Sequence, residues 1–333
     1  ADAACAAPAQ VLEQCAGLGI NQIGVPDELG GAGGERSAAT NVLVAEALAQ
    51  GDLGLAVACL APSAVSTALV LWGDAEQQSK YLPAFVGEHS PVAALAIQEP
   101  RPLFDPYALE TRAYPAGGGY VLEGVKSLVP RAAEAELFLV AAHLEDRGPA
   151  LFIVESSTQG LSVESEPAMG LRGASTARLL LDNVRLPASA LLGAHEVDLY
   201  SDCVNLARLG WCALATGTAQ AVLDYVIPYV NERSAFGEPI SHRQAVAFSV
   251  ANIGIELEGL RLLTWRAAAR ADAGLNFARE TALARRLCAD KGMAIGSDGV
   301  QLLGGHGYVK EHPVERWYRD LRAAGMMEGV VLV

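Results

Sequence analysis

The chain has 333 residues, of which 51% are hydrophobic and 19% charged, with a net charge of −14. That length supports several packed layers or domains. The acidic balance lacks the basic excess of a nucleic-acid surface and points away from such a partner. Six cysteines lie far apart with no CxxC pair, which reads as reduced thiols in a cytoplasmic protein, and neither they nor the six histidines show metal-ligand spacing.

In chain order, residues 1–88 read as a helical domain. Val42 to Leu48 is a run of helix formers, and Asp74 to Tyr81 is a polar helix expected to end at Leu82-Pro83. Leu53 to Trp72 carries no charge and is long enough to span a bilayer, but Pro62, Ser63, Ser66 and Thr67 mark it as a buried helix broken near Pro62, not a membrane span. Val25-Pro-Asp-Glu-Leu-Gly-Gly-Ala-Gly-Gly34 is a turn-rich loop. Its glycines lack the GxGxxG register of a dinucleotide-binding turn.

Residues 89–196 change to short β-type runs: 92–97, 119–122, 137–141, 150–154, 161–164 and 178–181. Turn residues separate them, with Gly117-Gly118-Gly119 as a hairpin, so a compact sheet or barrel is expected. Residues 197–333 return to helical periodicity, in long segments from Leu206 to Glu232, Val246 to Ala271 and Phe277 to Leu303. Ile253, Leu257, Leu260 and Thr264 share one face, and short connections predict an antiparallel bundle. The fold class is therefore α+β: an N-terminal helical domain, a central β-barrel-like domain and a C-terminal four-helix bundle.

The C-terminal region carries the informative motifs: Asn231-Glu-Arg-Ser-Ala-Phe-Gly-Glu-Pro-Ile240 with Gln244, Gln301-Leu-Leu-Gly-Gly-His-Gly-Tyr308, Pro313-Val-Glu-Arg-Trp-Tyr-Arg-Asp320, and Glu328-Gly329 eight residues beyond that Asp. In this order and spacing they closely resemble the acyl-CoA dehydrogenase family. Val25-Pro with the following glycines, Tyr81-Leu-Pro with Gly87-Glu88, Gly170-Leu-Arg-Gly and Val184-Arg-Leu-Pro187 extend the resemblance over nearly the whole chain.

The resemblance implies FAD-dependent α,β-dehydrogenation of an acyl-CoA thioester in fatty acid or lipid metabolism (beta-oxidation), with an electron-transfer flavoprotein as the electron acceptor. It implies a tetramer, a dimer of dimers of like or unlike chains. It makes Glu328 the general base that removes the α-proton, a task suited to a carboxylate in a closed apolar site, with Met326 and Met327 as apolar walls. The alternative base position of some relatives is Ala207 here. Arg208 would help bind the acyl-CoA. Arg233, Phe236, Gln244, Gln301, Gly304 and Gly305 would bind the FAD of a neighbouring subunit, where a guanidinium fork suits phosphate and glycines admit close backbone approach.

The central region departs from the family. Thr-Glu-Pro-Gly-x-Gly-Ser-Asp reads Gln98-Glu-Pro-Arg-Pro-Leu-Phe-Asp105, and Lys-x-Trp-Ile-Thr-Asn reads Lys126-Ser-Leu-Val-Pro-Arg131. The flavin-contacting Thr, the flavin-covering Trp and the Thr that bonds the flavin become Gln98, Leu128 and Pro130, and the Thr after Glu-Gly becomes Val330. Two further readings stay open beside self-sufficient catalysis: a non-catalytic or half-catalytic partner in a heteromeric acyl-CoA dehydrogenase, and a non-redox scaffold that binds CoA thioesters or protein.

Overall fold

The computed structural model describes residues 1–31, 34–87, 90–145, 147–194 and 198–333. The expected divisions at 88/89 and 196/197, Glu88, and residues 32 and 33 of the glycine-rich loop involve positions outside those described. Four helices open the chain: α1 (Ala9–Gly17), α2 (Ala38–Gly51), α3 (Leu53–Trp72) and α4 (Ala75–Val86). Each of the last three starts on a side-chain cap. Ser37 accepts from the Thr40 N–H, Asp52 from Leu55, and Asp74 forms a reciprocal capping box with Gln77.

Both proline-based helix breaks are corrected. α3 runs unbroken through Pro62, and α4 continues past Pro83 to Val86. In α3 the Ser63 and Ser66 hydroxyls bond the carbonyls of Leu60 and Ser63, and packing on every side holds the helix straight where propensity alone would break it. The helix is apolar enough to cross a membrane, but 89% of its most apolar window is buried inside the protein.

Seven strands follow: β1 (Ala93–Ala96), β2 (Arg112–Ala116), β3 (Gly119–Val129), β4 (Leu137–Leu144), β5 (Gly148–Glu155), β6 (Leu161–Ser165) and β7 (Ala177–Pro187). They form one curled sheet in the order β1-β4-β2-β3-β7-β6, with β5 paired to β4. β2 escaped the sequence reading, since Arg-Ala-Tyr-Pro-Ala has four of its five residues exposed and lacks an apolar run. The Gly117-Gly118 hairpin joins it to β3, with Ala116 opposite Gly119. β4 is buried on both faces. Leu139 and Ala141 face the helices, while Phe138 and Val140 join Phe152, Val154 and Leu179 in a second core inside the curl.

The C-terminal bundle comprises α5 (Leu199–Glu232), α6 (Gln244–Asp272), α7 (Ala278–Leu302) and α8 (Val314–Ala324), with a two-stranded ribbon, β8 (Ser234–Ala235) and β9 (Glu238–Pro239), between α5 and α6. Ile253, Leu257, Leu260 and Thr264 are buried along one face of α6, as their spacing predicts. α8 is pinned by charge. Arg316 pairs with Asp52 at the start of α3, Arg319 with Asp2 and Glu315, and Asp320 accepts the Leu171 N–H at 2.7 Å. The Pro-Val-Glu-Arg and Arg-Asp motifs thus dock the last helix onto the first two regions. All six cysteines are free; Cys59, Cys203, Cys212 and Cys288 are buried and Cys5 is exposed.

Candidate active site

Glu328 lies just beyond α8, where the chain turns to run beside β1. Gly329 forms an antiparallel bridge with Ala96. Its φ is +74°, and a Cβ there would sit 2.9 Å from the Cβ of Ile97, so glycine is required by both conformation and space. The indole N–H of Trp211 on α5 donates to the Gly329 carbonyl at 2.9 Å, and Arg285 on α7 donates to the carbonyls of Ala324 and Met327. Three elements thus fix the backbone on either side of Glu328.

The carboxylate does not stand free in an apolar pocket. Arg208 Nε donates to Oε1 and Oε2 at 3.1 and 2.9 Å, and Arg208 Nη2 donates to Oε1 at 2.8 Å. Arg285 Nη2 is 3.6 Å from Oε1. The Glu328 side chain is 8% exposed and that of Arg208 24%. Burial pulls the Arg208 pKa down, but the hydrogen bonds and charge of Glu328 outweigh it and raise the value above that of a free guanidinium. Gln98 completes the cluster, its Oε1 accepting the Glu328 backbone N–H at 3.1 Å. The residues expected to act as base and as thioester ligand are therefore each other's partners. Ala207, buried beside them, offers no substitute carboxylate.

The neighbouring C-terminal end of β3 is equally committed. Leu128 adopts φ +54° where β3 slips register against β7, and its N–H donates to Glu166 Oε2 at 2.7 Å. Ser127 Oγ and Arg178 Nε bond the same carboxylate. Pro130 is buried and has no N–H to offer. Next to it, fully buried Lys126 donates to the Ile97 carbonyl and to Glu99 at 3.1 and 2.9 Å. Burial drives the Lys126 pKa down to about 8 against the opposing pull of Glu99. Glu99 also accepts the N–H groups of Glu110 and Thr111.

Residues 101–109 form a braced strap near this cluster, with Asp105 and Tyr107 close enough to act on the Arg208 charge. Arg101 bonds the carbonyls of Asp105 and Ala108 and covers the Phe104 ring at 5.4 Å. Tyr200 on α5 donates to the Pro106 carbonyl at 2.7 Å. Where the family pattern has glycines, this chain has a cross-braced turn with Leu103 at its tip, 98% exposed.

A second set of candidates gathers at one end of the bundle. Arg233 follows the end of α5, Phe236 tips the β8–β9 ribbon, Gln244 begins α6, Gln301 lies in the last turn of α7, and Gly304 and Gly305 follow it. All six are exposed, Phe236 at 95%. Tyr229 on α5 binds the glycine loop through its hydroxyl, 3.2 Å from the Leu303 carbonyl and 2.9 Å from His306 Nδ1. Arg233 has no ion pair among the described residues, whereas neighbouring Arg243 is bound to Glu238 and lies 5.9 Å from the Phe236 ring. Sequence reasoning missed Glu166, Arg285 and the bracing roles of Arg101 and Lys126. The loss of glycines from 101 to 104 was the only pointer to the strap. Among the described residues, no three His, Cys, Asp or Glu side chains could hold a metal.

The two sets differ in what they can hold. The exposed set offers a guanidinium with no ion pair among the described residues and bare backbone at Gly304 and Gly305, groups of the kind that suit a phosphate-bearing cofactor. On the Glu328 side the Leu128 and Glu328 N–H groups and the Glu166 and Glu328 carboxylates are bonded internally and Pro130 has no N–H, so these groups are not open to an isoalloxazine.

Comparison with known proteins completes the picture. Residues 1–88, 94–184 and 197–331 match the models of the acyl-CoA dehydrogenase N-terminal, middle and C-terminal domains. Human mitochondrial short-chain specific acyl-CoA dehydrogenase is 33% identical over 330 residues, covering 97% of this chain and 79% of the relative. The butyryl-CoA dehydrogenase of Megasphaera elsdenii superposes with a TM-score of 0.88 at 28% identity, over 98% of this chain and 88% of that one. An FAD complex of PigA superposes with a TM-score of 0.89 at 25% identity, over 98% and 87%.

Proposed function

The chain belongs to the acyl-CoA dehydrogenase family, whose members are FAD-dependent oxidoreductases, and from that premise we propose that it is one subunit of a mixed acyl-CoA dehydrogenase. In this reading it lends the face at the end of its bundle to FAD seated on a fuller partner chain, which dehydrogenates the acyl-CoA thioester. The observation that carries the reading is the contrast between the two sets. Arg233, Phe236, Gln244, Gln301, Gly304 and Gly305 are exposed and available, while Glu328 is closed by Arg208.

FAD, when bound, accepts the hydride from the β-carbon. This chain's residues bind and orient. Arg233 grips the pyrophosphate, Phe236 packs beside the cofactor, Gln244 contacts the adenine end, and Gln301 with the two glycines brings backbone against it. A guanidinium bound to phosphate through two N–H groups gives a strong, directional contact. The partner's own carboxylate takes the α-proton in this scheme.

Assembly has support on α6. Phe248, Ile255 and Leu262 lie seven residues apart and are 61%, 69% and 62% exposed, with Trp265 one step further. A heptad-spaced apolar seam on an outer helix face suits packing against another helix, consistent with a dimer of dimers. An electron-transfer flavoprotein as acceptor, a role in beta-oxidation and a cytoplasmic location complete the proposal.

Arg233→Ala tests it. The chain, purified with any acyl-CoA dehydrogenase-family chain encoded beside it, should retain FAD when wild type and bind it roughly 10- to 100-fold more weakly in the variant, as expected for loss of a charge-assisted pair. Undiminished flavin affinity in the variant would remove Arg233, and the lent face with it.

A further inference from the structure

We infer that the Arg208–Glu328–Gln98 cluster is an acyl-CoA pocket converted into an internal strut, so that this chain takes no thioester itself and each mixed pair of chains binds one acyl-CoA. The inference rests on the proposed mixed enzyme for its stoichiometry. The strut stands on the chain's own geometry.

A general base must present a lone pair to a carbon-bound proton. Arg208 occupies three of the roughly four acceptor positions of the Glu328 carboxylate, and Arg285 lies 3.6 Å from Oε1. Removing either guanidinium leaves a carboxylate with 8% of its side chain exposed. Breaking such a buried pair from one side is far more costly than removing both partners, because the survivor is left charged and desolvated. The surroundings are built to keep the pair closed. Gln98 bonds the Glu328 backbone from just beyond β1, Trp211 bonds Gly329 from α5, and Arg285 bonds Met327 from α7. These contacts tie the C-terminal segment to the sheet and to two helices.

The 101–109 turn is held in place beside the cluster. Arg101 is bonded within its own turn and paired with Glu110 at 3.5 Å. Phe104 packs against the main core, and Tyr200 holds the Pro106 carbonyl. Asp105 adds negative charge near Arg208, further satisfying the guanidinium the motif resemblance assigns to acyl-CoA binding.

A double-mutant cycle on the lone, flavin-free chain reads the strut directly. Arg208→Met and Glu328→Gln should each lower Tm by roughly 5 °C, as expected for an orphaned buried charge or amide. The double variant should fall no lower than the worse single. Additive losses would overturn the strut. Calorimetric titration of the mixed complex with butyryl-CoA and palmitoyl-CoA gives the second readout. One thioester per two chains for whichever is bound is expected; two per two chains would overturn the closed pocket. Absence of FAD from the complex would instead sink the mixed-enzyme reading and the one-per-pair stoichiometry, while a coupled cycle would still establish the strut.

Discussion

Asp320→Asn should stabilise this protein at neutral and alkaline pH and do little at pH 4. Asp320 is 2% exposed. Burial pushes its pKa from 3.8 up to about 7, the Leu171 N–H opposes that, Asp52 adds to it, and Arg319 and Arg316 pull it back. A carboxyl whose folded pKa lies above its unfolded value contributes stability in full below about 4. That contribution is lost as pH rises through about 7, because the unfolded chain gives up the proton more readily. The span from 3.8 to about 7 corresponds to about 4 kcal/mol at most. Asn keeps the acceptor for Leu171 and removes the buried charge. Urea unfolding of both proteins at pH 4, 5, 6, 7 and 8 at fixed salt measures the difference. Asn should gain progressively between pH 4 and 7, reaching on the order of 2–4 kcal/mol at pH 8. A pH-independent difference, or a variant weaker than wild type at pH 8, would refute the reasoning.

Three further outcomes test the packing around the site. Lys126→Met should cost about 3–5 kcal/mol at pH 7, since Glu99 keeps two backbone donors but loses its buried countercharge; chemical denaturation measures it, and a neutral result would deny the pair its anchoring role. Leu103→Asn should stabilise by about 0.5–1 kcal/mol, because the residue is 98% exposed at φ +51° and Asn tolerates that conformation better; a loss in Tm would show that the Leu103 side chain has a partner. Gly217→Ala should destabilise by more than about 2 kcal/mol, since a Cβ would fall 2.0 Å from the Glu46 carbonyl oxygen where α2 crosses α5; wild-type Tm would contradict that crossing.

The sequence made the three regions legible because each carries a strong period. The long helices of the bundle announce their buried face every three or four residues, and β4 and β5 are unbroken apolar runs. Pro62 and Pro83 misled because local propensity was outweighed by burial that only tertiary packing supplies. β2 was hidden for the opposite reason, having almost no buried side chain to mark it. At the site, the motifs picked out Arg208 and Glu328 separately. They are 120 residues apart in sequence, and their mutual bond could be seen only once α5 and the C-terminal segment were placed together. The substitutions at Gln98, Leu128 and Pro130 did signal a changed pocket. What they could not convey is that Glu166, Arg101 and Tyr200 had taken up the freed donors and acceptors. The face formed by Arg233 through Gly305 was readable because its residues retain the family pattern.

The central claim is the division of labour between this chain and a partner, and flavin stoichiometry tests it most directly. The absorbance spectrum and FAD content would be measured for this chain purified alone, and again after co-purification with any acyl-CoA dehydrogenase-family chain encoded beside it. The account predicts no bound flavin in the first case and one FAD per two chains in the second. One FAD per chain in the protein purified alone would contradict it.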